Sequence, residues 1–124
     1  MNNTDKNYFT EAELSCKCCG ENKFNKDTLQ KLNNLREALG FGLAMTSGYR
    51  CPEYNTKMGY TQTHATGQAA DIACTHKQAA AINKFHTDFG FTGIGVKQKG
   101  LSRFLHLDDL EEIAGRPRPH IWSY

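Results

Sequence analysis

No stretch of this chain approaches the ~20 consecutive apolar residues of a membrane-spanning helix, so no membrane partner is expected. Nor does Met1-Asn2-Asn3-Thr4-Asp5-Lys6-Asn7 carry the apolar core of a secretory signal. The expectation is a protein made and kept in the cytoplasm, or released from it by some other route. Charge of one sign is scarce as well. Fifteen Lys and Arg stand against 13 Asp and Glu, a net charge of +2, and no basic run occurs, which argues against nucleic acid as a partner. Repeats, linkers and low-complexity segments are missing. What remains is the expectation of one globular domain over residues 1–124, with residues 1–7 flexible and no extended interface, hence a monomer. That length can bury a core without disulfides.

Local signals divide the chain. Thr10-Glu11-Ala12-Glu13 is a capping box that predicts a short helix, and the stretch from Cys16 to Glu21 reads as a loop. Asn25 is a good N-cap, with Phe24 placed to staple onto Leu29. Leu29, Leu32, Leu35 and Leu39 follow helical spacing up to Gly40. Residues 43–47 read as a strand, and Pro52 opens a short helix through Asn55 and Lys57. A polar loop over residues 60–67 precedes a strand over residues 69–73. Thr75 and Gln78 make a second capping box, before a helix striped by Ile82, Phe85 and Phe89 and closed by Gly90. Two strands, residues 92–97 and 102–108, flank a turn at Gln98-Lys99-Gly100. The tail over residues 116–124 contains two prolines and reads as irregular. The order predicts an α+β fold with a small antiparallel sheet flanked by helices.

His64, Asp71 and His106 carry the chemistry. Two imidazoles and one carboxylate form a first shell for Zn2+ that leaves one position open, the arrangement of a catalytic rather than a structural zinc. Gly67 lets the backbone turn so that His64 approaches Asp71, and small neighbours leave room around Asp71. Strand alternation puts His106 and Asp108 on one face, with Leu105 and Leu107 in the core. Asp108 is therefore the first choice for a general base, and Asp109 the second. Arg50, just after a strand, is placed to stabilise an oxyanion or bind a substrate carboxylate. Taken on spacing alone, these residues also suit ordinary, satisfied loop and strand positions.

The motifs occur in a telling order: Ser47-Gly48-Tyr49-Arg50-Cys51-Pro52-Glu53-Tyr54-Asn55, then His64-x-x-Gly67-x-Ala69-x-Asp71, Gly93-Ile94-Gly95-Val96, Phe104-Leu105-His106-Leu107-Asp108 and Trp122-Ser123-Tyr124. Over residues 8 to 124 this resembles the zinc D-Ala-D-Ala carboxypeptidases, metallopeptidase family fifteen, which have the hedgehog/DD-peptidase fold. The resemblance implies His64, Asp71 and His106 as zinc ligands, Arg50 as the substrate-polarising arginine, and peptidoglycan stem peptides as substrates, as in many phage endolysins. It implies Asp108 as the base through a His-x-Asp variant. Other branches place an acid shortly before the last ligand, where this chain has Arg103 and Phe104. Gln62 stands where the family often has Ser. The bond cut stays open among L-Ala–D-Glu, D-Ala–D-Ala and cross-link amides.

Two other readings stand beside this one. One is a non-catalytic zinc-binding recognition module, as in hedgehog domains; Arg50 and an acid beside the last ligand favour the enzyme. The other is a cysteine-rich zinc module on nucleic acid, which the mild charge disfavours. The five cysteines are an odd set. Cys16 and Cys19 have C-x-x-C spacing, but no second such pair exists. Cys51 can tie the Cys16 loop to the arginine loop. Reduced structural thiols are the first reading of Cys16, Cys18, Cys19 and Cys51, a disulfide the second and a metal the third; Cys74 reads as core. His76, His86 and His120 read as solvent-facing, with a catalytic role for His120 the sharper alternative. Tyr49, Tyr54, Trp122 and Tyr124 read as packing first and substrate contacts second.

Overall fold

The longest helix, α2 (Lys26–Leu39), begins and ends where its sequence dictates. Asn25 Oδ1 accepts the Thr28 N–H at 3.0 Å, and Gly40 leaves the helix at φ 75°. Leu32 and Leu35 are fully buried, with Phe24, Leu29 and Leu39 packed at the margin. The computed structural model describes residues 3–124. Helix α1 (Glu11–Leu14) starts at the Thr10–Glu13 capping box and α3 (Pro52–Met58) at Pro52. Helix α4 (His76–Phe85) starts at the Thr75–Gln78 box and runs into one 3₁₀ turn, which Gly90 ends. Ile82 is buried as expected and Phe89 packs against the core, but Phe85 departs from the stripe and points outward, and Ala79 is buried beside Ile82.

Five strands form one sheet: β1 (Ala44–Ser47), β2 (Ala69–Ala73), β3 (Gly93–Lys97), β4 (Phe104–Asp108) and β5 (His120–Ser123), in the order β1-β2-β4-β3-β5. The first four pair antiparallel, as expected of an α+β chain, and β5 adds in parallel to β3. The sheet is therefore mixed, and the tail is not irregular throughout. Its side chains carry no strand-like alternation of burial. Its backbone pairs because the outer edge of β3 offers unmet carbonyls: His120 N–H donates to Thr92 O at 2.9 Å and Tyr124 N–H to Val96 O at 3.1 Å.

Ala70, Ile72, Ile94, Leu105 and Leu107 join the leucines of α2 and Ile82 of α4 in one core. Burying this face fixes the register, since a one-residue slip would turn the leucines of β4 outward. Alternation then places Asp71, His106 and Trp122 on the opposite face. Asp109 closes the seam between α2 and the end of β4: it accepts from Thr28 Oγ1 at 2.9 Å, Lys31 Nζ at 2.8 Å and Gln68 Nε2 at 3.2 Å. Part of the expected flexible N-terminus, residues 1–2, lies outside the described residues. Thr4 and Tyr8 donate their N–H groups to Asn34 and Asn33 of α2, each at 2.9 Å. Among the described residues no helix is long and apolar enough to cross a membrane.

Candidate metal centre

Three chain segments bring His64, Asp71 and His106 together. His64 sits in a 3₁₀ turn (Thr63–Thr66) that Gly67 ends at φ 77°. A side chain at Gly67 would run into the Lys23 carbonyl, so the turn needs glycine on two counts. Asp71 and His106 are direct partners across the β2–β4 ladder. The candidate ligand atoms of the three residues lie within 4.8 Å of one another.

Each imidazole is held by its outer nitrogen. His64 Nδ1 lies 2.8 Å from the Gly48 carbonyl, which can only accept, so Nδ1 carries the proton and Nε2 a lone pair. His106 Nε2 lies 2.7 Å from Asp108 Oδ2 and donates to that carboxylate, which leaves the lone pair on Nδ1. Both free nitrogens face Asp71 Oδ1, from 3.2 Å and 3.3 Å. His64 Nε2 and Asp71 Oδ1 are buried without a hydrogen-bond partner among the described residues. Lone pairs that face each other in a buried site repel unless a proton or a cation lies between them. Ligand bonds of 2.0–2.1 Å in a tetrahedral zinc site put neighbouring ligand atoms about 3.3 Å apart, close to the observed spacing. The residues thus fit a zinc ion.

Burial by itself would raise the pKa of Asp71, but with protons rather than a metal ion on the facing nitrogens the imidazoles of His106 and His64 outweigh it and hold the carboxyl well below the usual range. Burial would lower His106, yet the Asp108 and Asp71 carboxylates raise it. Asp108 is fully buried, and burial would raise it too; His106 and Arg118 instead hold it ionised.

Asp108 does not sit as a general base needs to sit. Its Oδ2 takes the His106 N–H and Arg118 Nη2, both at 2.7 Å, and its Oδ1 takes Arg118 Nε at 2.9 Å and the Leu110 N–H at 3.4 Å. A carboxylate sealed by a two-pronged guanidinium and a histidine has no open lone pair for a water on the cleft side. It orients His106, as outer carboxylates orient metal-binding histidines. Strand alternation put Asp108 on the correct face but did not show that His106 and Arg118 cover it. Asp109, the second choice, lies on the α2 seam described above and not in the cleft.

Arg118 was not among the expected site residues. The only sequence signal for it was a requirement: a buried aspartate beside a metal-type histidine needs a cation. Two glycines make the room. A Cβ at Gly93 would lie 2.5 Å from Asp108 Oδ1 and 2.6 Å from Arg118 Nε, and one at Gly95 would lie 2.5 Å from Trp122 Nε1. Trp122 therefore lies flat across Gly95, its ring 5.2 Å from that of His106 and 5.4 Å from the stacked ring of His120.

The three residues sit in a cleft of about 1150 Å³ that Arg50, Tyr60, Lys97, Arg116, His120 and Trp122 also line. Arg50 stacks its guanidinium over Tyr60 at 4.7 Å, and its buried Nε has no partner among the described residues. Gln62 accepts from Asn55 at 3.2 Å and donates to Thr56 at 3.2 Å, and so ties α3 to the His64 loop. His76 and His86 are outside the cleft; His76 meets Gln98 at 3.0 Å and His86 the Asn83 carbonyl.

A family model described as Peptidase M15 matches residues 7–108, a span that holds Arg50, His64, Asp71, His106 and Asp108 and leaves out Arg118 and β5. No curated protein matches the chain.

Proposed function

Because this chain belongs to the peptidase M15 family, we propose that it is a zinc peptidase that hydrolyses amide bonds in the stem peptides of peptidoglycan. The observation that carries the zinc is the convergence of two unpartnered buried atoms, His64 Nε2 and Asp71 Oδ1, with His106 Nδ1 on the cleft floor. Zinc bound by these three residues supplies Lewis acidity to water and to the scissile carbonyl.

The chain's own groups do the rest. Gly48 O and Asp108 fix the two imidazoles, so that both free nitrogens point inward before any ion arrives. Arg50, on the cleft wall, offers its guanidinium to a substrate carboxylate or to charge that develops on the carbonyl oxygen. Arg50, Lys97 and Arg116 make the cleft cationic, which suits stem peptides rich in carboxylates. Asp108 is engaged, so the proton carrier is assigned to another wall of the cleft. His120 faces the same space from β5, and imidazole is the usual side chain for this task.

The test is mass spectrometry of purified peptidoglycan digested with the protein, with and without a zinc chelator. New stem-peptide fragments that vanish with chelator are expected, and their masses name the bond. Absence of fragments from folded, zinc-loaded protein across several wall types would favour a recognition module instead.

A further inference from the structure

Away from the cleft, Cys16, Cys19 and Cys51 bring their sulfurs within 4.8 Å of one another. All three are free thiols. The chain from Cys16 to Gly20 wraps around the first sulfur. Gly20 N–H closes the turn on Cys16 O at 2.9 Å with φ 76°, and Cys16 N–H bonds back to Glu21 O at 2.8 Å. Cys51 enters from the start of α3 and directs its own N–H at Cys16 Sγ, 3.4 Å away. Cys16 and Cys51 are buried, whereas Cys19 is exposed and leaves the cluster open on one side.

We infer that Cys16, Cys19 and Cys51 form a second metal site, which takes a thiophilic divalent cation of the zinc class with solvent in the fourth position. Zinc–sulfur bonds of 2.3 Å put tetrahedral sulfurs about 3.8 Å apart, within the observed cluster. A disulfide would use two of the sulfurs and strand the third. Burial would raise the Cys16 thiol, but the N–H groups of Cys51, Cys19 and Cys18 bring it down to about 7. The Tyr54 N–H lowers Cys51, but burial and the neighbouring Cys16 and Cys19 sulfurs push it up to about 12. The thiols ionise when a cation compensates them, with their protons passing to solvent.

The site would clamp the loop that builds the peptidase cleft. It joins the turn after α1 to the residue that follows Arg50. The same loop is held by Tyr49 N–H on Leu14 O at 3.0 Å, and its Gly48 carbonyl orients His64. The second ion would therefore hold Arg50 and His64 in place without entering the cleft.

Cobalt(II) added to the reduced, metal-free protein tests this independently of the peptidase reading, because the His64–Asp71–His106 site contains no sulfur. A sulfur-to-cobalt charge-transfer band is expected in the wild type and in Cys18→Ser, and its loss in Cys19→Ser. Cys19 is exposed, so that substitution leaves the core untouched. Zinc should displace the cobalt and abolish the band. A wild type with no such band would overturn the assignment, as would a band lost in Cys18→Ser but kept in Cys19→Ser. So would two thiols of the cluster found oxidised to a disulfide in protein isolated without reductant.

Discussion

At the scale of single residues, the partners of Asp108 set what its removal should do. Asp108→Ala leaves His106 free to rotate and Arg118 buried without its counter-ion. Zinc affinity should fall about 10–100-fold, as for other outer partners of metal ligands, measured by competition with a chromophoric chelator. Stability should fall by about 3–5 kcal/mol in urea unfolding. Adding Arg118→Met should recover much of the stability and none of the zinc affinity. Unchanged zinc binding with turnover abolished would restore the general-base role to Asp108. Arg50 predicts the opposite split. Arg50→Lys keeps the charge but loses the planar fork, so it should retain zinc and lose about 100-fold or more in kcat on a stem-peptide substrate. His120→Ala should likewise keep zinc while it flattens the pH–rate profile; a profile identical to wild type would remove His120 from proton transfer.

At the scale of elements, β5 depends on a glycine in its neighbour. Gly95 lies opposite both His106 and Trp122 in the sheet and lets the indole settle on the strand. Gly95→Ala should push Trp122 off that strand at a cost of about 1–3 kcal/mol. Trp122 is the only tryptophan, so its fluorescence reads the change directly. Emission should move to the red. An unshifted spectrum would mean that β5 is held by its backbone bonds alone. The helices carried their own signals: two capping boxes, an Asn cap and closing glycines each act within a few residues of the element they delimit. The strand at the tail carried none, because its pairing answers to the open edge of β3 and not to its own side chains.

For the whole molecule, metal and fold are coupled. Ligands drawn from a 3₁₀ turn and two strands come together only in the native state, so zinc bound there stabilises that state by mass action. Chelation should lower Tm by about 10 °C relative to protein with zinc at 100 times its Kd, and added zinc should restore it. Calorimetry measures both directions. A Tm indifferent to chelator and to zinc would mean that neither site binds metal in the folded protein.

The sequence by itself determined the α+β class, most element boundaries and the three residues that meet on the cleft floor. Those depend on short-range periodicity, on caps and on residue types whose chemistry is the same wherever they stand. Tertiary structure alone decided which lone pairs stay open. Asp108 shares a strand face with His106, yet it is closed by Arg118, ten residues further along and outside any shared periodicity. The same holds for the cysteines. Spacing related Cys16 to Cys19, but only the packing of α1 against β1 and the bond from Tyr49 N–H to Leu14 O brought Cys51 to them. Contacts between residues far apart in the chain depend on the path of the whole backbone, which no local pattern encodes.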